Sequence, residues 1–407
     1  MMERTTSSIR ATTRAALLAL GVLTFVAAGA ASPAPTAPSP ASSPAPTTVG
    51  SPTVTSSPTA APRIDLTSVP VLAYYYIWFD PSSWDRAKKD LPILGAYSSD
   101  DEAVMRQHIT WAKSAGIDGF IVSWKSTTVL DRRLEALIRV AREEDFKLSI
   151  IYQGLDFARE PLPVARVSED LDYFLSHYAG DPVFDLFGKP LVIWSGTWRF
   201  TEAEVAAVTG PRRDRLQILA SEPSVSGFER LAPLVDGDAY YWSSVNPDTF
   251  PDYQGKLDAM GAAVHDAGGL WIPPAAPGFD ARLLGHTTVV ERQDGKMLER
   301  QLQAAIDSLP DAVGLISWNE FSENSYIEPS HTYGDRSLQV LAGLRKTNLT
   351  AIEDFDSSAP AGVDASAGAG RLLAILAVGG IGVVGAGVTV RRRRATRHSP
   401  RRSTRPR

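Results

Sequence analysis

The chain has 407 residues, a formal net charge of −5, six histidines and no cysteine. The missing cysteines exclude thiol nucleophiles, zinc thiolate sites, iron–sulfur clusters and disulfide bonds. Residues 391–407 hold nine arginines and no acid; setting aside that +9 and the +2 of the first fourteen residues leaves −16 on residues 15–390, a body that repels nucleic acid and anionic surfaces.

In chain order, Arg4, Arg10 and Arg14 precede the apolar stretch Ala15–Ala28 and the small residues Ala28, Gly29 and Ala30. This is the layout of a secretory signal peptide over residues 1–30. Residues 31–62 are a Pro/Ser/Thr/Ala-rich spacer that cannot build a core, and residues 356–371 form a second linker of Ala, Gly and Ser. Between them, residues 63–355 are long enough to bury a core without disulfides. Leu372–Val390 is a run of 19 uncharged residues, about 28 Å as a helix and long enough to span a bilayer. The arginine tail after it is expected to stay in the cytoplasm by the positive-inside rule. The expected arrangement is a single-pass cell-membrane protein with its folded domain outside and residues 391–407 inside.

Within the folded domain the apolar period switches repeatedly between 2 and 3.6. Short β-branched and aromatic runs predict strands at Val71–Trp78, Gly119–Trp124, Lys147–Gly154, Lys189–Gly196, Leu216–Pro223, Asp238–Ser244, Gly269–Ala275 and Val313–Glu320. Helical patterns fall at Asp100–Gly116, Leu130–Asp145, Val167–Gly180, Thr201–Asp214, Gly227–Val235, Asp252–Gly268, Gly295–Leu309 and Ser337–Thr347. Eight alternating pairs predict an α/β fold, a single (β/α)8 TIM barrel. An open nucleotide-binding sheet would need a Gly-rich turn after its first strand, and that turn is missing.

Such a barrel carries its chemistry where the strands end. Five of the nine tryptophans, Trp78, Trp124, Trp194, Trp242 and Trp318, fall at or near those ends. Their flat faces suit pyranose rings, although packing in the barrel mouth is the competing explanation for each. Candidate substrate-binding residues on the same rim are Tyr75, Trp78, Trp124, Lys125, Gln153, Glu222, Tyr240, Tyr241, Trp242, Asp280, Trp318 and Asn319. The candidate catalytic pair is Glu320 and Glu323. Glycoside cleavage commonly needs one carboxyl to protonate the leaving oxygen and a second to drive attack at the anomeric centre. Both acids face one pocket only if the chain turns sharply after Glu320, and Asn324 and Ser325 favour a turn. No HExxH motif or metal-spaced histidine cluster is present, so neither a metal nor a cofactor is expected. A GxSxG elbow is also absent.

The run SWNEFSENSYIEP at Ser317–Pro329 resembles the FNEWHEGTQIE signature of glycoside hydrolase family 99, the endo-alpha-1,2-mannosidases. Leu91–Trp124 is similar to that family's stretch from PLLGPYSS to AGIDVLVVSWW, and Val71–Phe79 is similar to its opening FYYPWY strand. Pro277–Arg282 resembles its PGYDDR turn, and Gly295–Ile306 its last long helix. The resemblance implies a barrel that cleaves alpha-linked mannose glycans with retention, the sugar's own 2-hydroxyl attacking the anomeric carbon. Carried over, Glu320 would deprotonate that hydroxyl, and Glu323 would protonate the leaving oxygen and then activate water. Trp124, Tyr240 or Tyr241, and Asp280 fall where the family places aromatic and hydroxyl-binding groups. Gln153 stands where the family has a glutamate, Ser322 where it has a histidine, and Asn324 where it has a glycine.

The expected partner is an oligo- or polysaccharide. Alternatives are a catalytically silent glycan-binding barrel, an alpha-1,3-glucanase-like enzyme or a glycosyltransferase-like relative.

Overall fold

The computed structural model describes residues 65–350 and Ile352. The expected signal peptide, both linkers, the apolar run 372–390 and the arginine tail lie outside the described residues. Among the described residues, no helix is long and apolar enough to cross a membrane.

The strands are β1 (Val71–Tyr76), β2 (Gly119–Trp124), β3 (Lys147–Gln153), β4 (Leu191–Ser195), β5 (Gln217–Leu219), β6 (Gly237–Ala239), β7 (Leu270–Ile272), β8 (Pro274–Ala275), β9 (Phe279–Asp280), β10 (Val289–Val290) and β11 (Val313–Leu315). The helices are α1 (Glu102–Ser114), α2 (Thr128–Glu143), α3 (Val164–His177), α4 (Glu202–Thr209), α5 (Val225–Leu231), α6 (Tyr253–Asp266), α7 (Lys296–Asp307) and α8 (Arg336–Arg345). Polar caps fix where several helices start. Asp101 accepts from the N–H of Ala103 at the head of α1, and Thr201 and Glu204 form a reciprocal capping box on α4.

Seven strands form one parallel sheet in the order β5-β4-β3-β2-β1-β11-β8, and β6 pairs in parallel with β7. Two contacts join these sheets into a ring. On one side, Ala220 donates to Gly237 O at 3.0 Å and Ala239 donates to Ala220 O at 2.9 Å, linking β5 to β6. On the other, β7 and β8 are halves of one strand separated only by Pro273; the first half pairs with β6 and the second with β11. The result is a (β/α)8 barrel, with the helices outside and β9 and β10 forming a small antiparallel ribbon.

Strand alternation sorts the side chains into two cores. Leu72, Tyr74, Ile121, Ile151, Ile193, Leu219, Ala239, Tyr241 and Ile272 point inward and fill the lumen. Val71, Ala73, Tyr75, Phe120, Val122, Ile150, Val192 and Ile218 point outward into the main core beneath the helices. Each such aliphatic burial is worth about 1.5–3 kcal/mol, so the outer layer supplies most of the hydrophobic drive.

The eighth barrel strand is much shorter than Val313–Glu320. Its ladder ends at Leu315, and a cis peptide joins Ile316 to Ser317. One more backbone bond follows, Trp318 N to Tyr74 O at 2.8 Å, and a side chain then takes over: Asn319 Oδ1 accepts from Tyr76 N at 2.9 Å, and Asn319 Nδ2 donates to Tyr76 O at 3.0 Å. The strand expected at Asp238–Ser244 likewise contracts to Gly237–Ala239, with one further backbone bond from Tyr240 N to Ile272 O at 3.1 Å.

Gly237 marks the tightest point of the ring, with φ +149° and a position where a Cβ would lie 2.1 Å from the carbonyl oxygen of Leu270. Gly237→Ala is therefore expected to lower stability by about 3 kcal/mol through backbone displacement at the β6–β7 contact. Urea unfolding measures this, and a loss under about 0.5 kcal/mol would show that the ring closes without this close approach.

Candidate active site

The turn after β11 delivers two acids to the mouth of the barrel. Glu320 N donates to Ser317 Oγ at 2.7 Å, Ser317 N donates to Ser325 O at 2.8 Å, and Asn324 adopts φ +55° to reverse the chain. Outside the turn, Asp280 N donates to Glu323 O at 2.7 Å and Arg292 Nη2 donates to Asn324 O at 3.0 Å. The Arg292 guanidinium lies 4.4 Å and 4.2 Å from the ring centres of Tyr326 and Tyr333. With the backbone clamped from both sides, Glu320 and Glu323 are 2% and 1% exposed.

Burial and mutual repulsion separate the chemistry of the two acids. Burial raises the Glu320 pKa to about 7, opposed by the Ser322 N–H at 3.0 Å and by the Lys88 ammonium. Glu323 is driven well above the ordinary carboxyl range by burial and then by the charge of Glu320, against the pull of the Ser243 hydroxyl at 3.4 Å and the Arg159 guanidinium. Near neutral pH this leaves one carboxyl ready to accept a proton and a neighbour that still holds one. The Tyr76 and Tyr241 hydroxyls share a 2.7 Å hydrogen bond and sit within the field of both acids; burial keeps them protonated.

Other expected residues lie around this centre. Trp78 is half-buried on the rim, its ring 4.2 Å from that of Tyr76. Gln153 points inward and donates to Ser123 Oγ at 3.0 Å. Lys125 stands at the end of β2 with its ammonium 5.2 Å from the ring centre of Phe157. Asp280 is engaged by Lys89 and Arg282, which hold its carboxyl below the usual range. It opens on a cavity of about 340 Å³ behind the turn, also lined by Arg292, Asn324 and Tyr333.

Seven expected substrate residues are instead placed behind the site. Trp124 is fully buried between strand and helix layers and donates to Asp131 Oδ1 at 3.0 Å. Tyr240 and Trp242 pack outward around Tyr253 of α6, with the Lys256 ammonium 4.9 Å from the Tyr240 ring. Trp318 packs against Phe120 and His108, and Trp194 also faces the outer core. Glu222 is held by Arg230 at 3.5 Å. Asn319 is spent on the Tyr76 backbone. Tyr75 belongs to a buried chain of polar groups: its hydroxyl lies 3.0 Å from His108 Nδ1, and His108 Nε2 lies 3.0 Å from Glu328 Oε1. Tyr97 donates to Glu328 Oε2 at 2.9 Å, and Asn319 Nδ2 donates to Tyr97 at 3.3 Å. Of the five tryptophans expected on the rim, Trp78 stands there; strand parity sends Trp124, Trp194 and Trp242 outward, and Trp318, beyond the last ladder pair of β11, joins the same outer core.

Three polar residues at the centre went unread in the sequence: Ser243, Lys88 and Arg159. All three lie on loops without a motif. Among the described residues, no group of three or more His, Asp or Glu side chains is placed to hold a metal ion.

Comparison with known proteins gives a match to the family model described as "Glycosyl hydrolase family 99" over residues 79–340. The glycoprotein endo-alpha-1,2-mannosidase-like protein of Mus musculus is 26% identical over 264 residues, covering 58% of this chain and 57% of that protein. The glycoprotein endo-alpha-1,2-mannosidase of Rattus norvegicus is 23% identical, with 58% and 56% covered. The chain thus spans little more than half the length of these relatives. A family 99 endo-alpha-mannosidase structure from Bacteroides thetaiotaomicron shares the fold, with a TM-score of 0.59 at 21% identity over 68% of this chain and 97% of that one. A glycoside hydrolase-like protein gives a TM-score of 0.55 at 17% identity, covering 70% and 94%.

The burial of Glu320 has a cost that depends on pH. Its native pKa of about 7 exceeds the ordinary 4.5, so the contribution is absent below about pH 4.5 and the protein loses stability as pH rises toward 7. Glu320→Gln is expected to gain on the wild type by up to about 3 kcal/mol between pH 5 and pH 8. Urea unfolding at both pH values measures this; a stability difference that is the same at both would contradict the raised pKa.

Proposed function

The chain belongs to glycosyl hydrolase family 99, and from that premise we propose that it is a retaining, endo-acting glycoside hydrolase for alpha-linked mannose glycans. The observation that carries the reading is the buried pair at one turn, Glu323 holding its proton more tightly than Glu320. An acid that stays protonated beside a base that ionises near neutrality is what glycoside cleavage requires.

In the proposed sequence Glu320 takes the proton of the substrate's 2-hydroxyl as that oxygen attacks the anomeric carbon. Glu323 gives its proton to the departing glycosidic oxygen, and a 1,2-anhydro sugar results. The Glu323 carboxylate then takes a proton from water, which opens the anhydro ring at the anomeric carbon. Glu320 returns its proton to the 2-oxygen, and the anomeric configuration is retained. The Tyr76–Tyr241 hydroxyl pair is suited to hold the substrate or its ring oxygen beside the acids. The charge pattern of the terminal segments favours a cell-membrane enzyme tethered by residues 372–390 with its barrel outside. Protease accessibility in intact cells tests that topology.

The purified protein is expected to release oligosaccharides from alpha-mannan, with kcat/KM rising as Glu320 ionises near pH 7 and falling at higher pH as Glu323 deprotonates. Glu323→Gln should lower kcat about 10²–10⁴-fold while substrate binding persists. A 2-fluoro sugar should leave no ester on Glu320. Undiminished turnover by Glu323→Gln would remove the acid role, and a recovered Glu320 ester would replace the anhydro-sugar route with a carboxylate nucleophile.

A further inference from the structure

We propose that Phe157, on the hairpin after β3, is a platform for a second pyranose ring of the same glycan, at least one sugar unit away from the ring at Glu320 and Glu323. The inference rests on the glycosidase reading and extends it to a subsite.

Phe157 is 55% exposed, stands on a turn and takes no part in any apolar core. A lone exposed apolar residue is ordinary on a protein surface and by itself signals nothing. What separates this one is the way it is held. Asp156 Oδ1 accepts from the N–H groups of Ala158 at 2.8 Å and Glu160 at 2.9 Å, and Asp156 N donates to Glu160 O at 2.9 Å. Leu155 and Pro161 bridge the base of the hairpin, and Arg199 anchors Glu160 at 2.6 Å. The Lys125 ammonium beside the ring further restricts it. The backbone that carries the ring is therefore fixed before a ligand arrives, and ordering the hairpin adds little to the entropy lost on binding.

The same hairpin reaches the reacting centre. Arg159, two residues on, adopts φ +65° and is half-buried, close enough to Glu323 that each charge favours the other's ionised form. A glycan held at Glu323 can therefore continue over the hairpin to its tip. The surroundings of the ring select the ligand class. The Lys125 ammonium stands at the ring and the hairpin around it carries Asp156, Arg159 and Glu160, a polar setting that suits a sugar with one CH face and a polar perimeter. A protein or lipid surface would instead bury those charges at a loss.

The test uses the full chain as wild type, Phe157→Ala and Phe157→Trp, with alpha-mannan oligosaccharides of increasing length. The expected result is that Phe157→Ala lowers the ratio of kcat/KM for long over short substrates about tenfold, mainly through KM, and that Phe157→Trp restores it. Calorimetry with each change added to Glu323→Gln reads affinity without turnover and should show the same loss. Unchanged length dependence in Phe157→Ala would overturn the platform and leave the glycosidase reading intact. Binding without cleavage by the wild type, weakened by Phe157→Ala, would remove the hydrolase reading and keep the platform. No binding to any alpha-mannan oligosaccharide would overturn both.

Discussion

The double hydrogen bond between the Asn319 carboxamide and the backbone of Tyr76 decides the geometry of this site. It replaces the ladder that β11 would otherwise continue along β1, satisfying Tyr76 while releasing residues 320–324 from strand geometry. A continued strand would send residues of odd and even spacing to opposite faces, and Glu320 and Glu323 differ by an odd number. Ending the ladder one side chain early is what lets both acids point into the same mouth. A buried amide that can donate and accept at once is well suited to this, since neither backbone group of Tyr76 is left unpaired.

Once the acids share a cavity, electrostatics sets the rest. Two carboxyls out of water cannot both ionise cheaply, so the neighbours that differ between them assign the proton. Glu320 receives a backbone N–H and an ammonium, whereas Glu323 receives a long hydroxyl contact and the field of Glu320 itself. The cations Lys88 and Arg159 come from loops after β1 and β3. The barrel supplies the turn, while separate loops supply its charge balance.

The barrel was legible in the sequence because its signals are periodic and redundant: eight apolar runs alternate with eight helical patterns, and a misjudged boundary at either end leaves the order intact. The acidic pair was legible because it lies in a dense local motif. Which of the rim aromatics face the cleft was not legible. Trp124 and Gln153 both end strands, yet one is sealed under α2 and α3 and the other faces the lumen. Parity separates them only when the register of each strand is known. Beyond the last ladder pair of β11 parity itself lapses, as at Trp318, which faces outward although Ile316 two residues earlier faces the lumen. Lys88, Arg159 and Ser243 were hidden for a different reason: contacts made across long sequence separations between irregular loops leave no local pattern.

The chain of groups from Tyr75 through His108, Glu328 and Tyr97 to Asn319 lies on the far side of the barrel wall from the cleft. Its members come from β1, the segment before α1, α1 itself and the end of the turn. The residues that hold Asn319 in register therefore belong to the outer shell, in a layer usually treated as inert scaffold. A designer who grafted residues 317–328 onto another eight-stranded barrel would transplant both acids and lose their orientation, because half of the support is written into α1 and its approach. The portable unit is the loop together with that wedge of wall and helix.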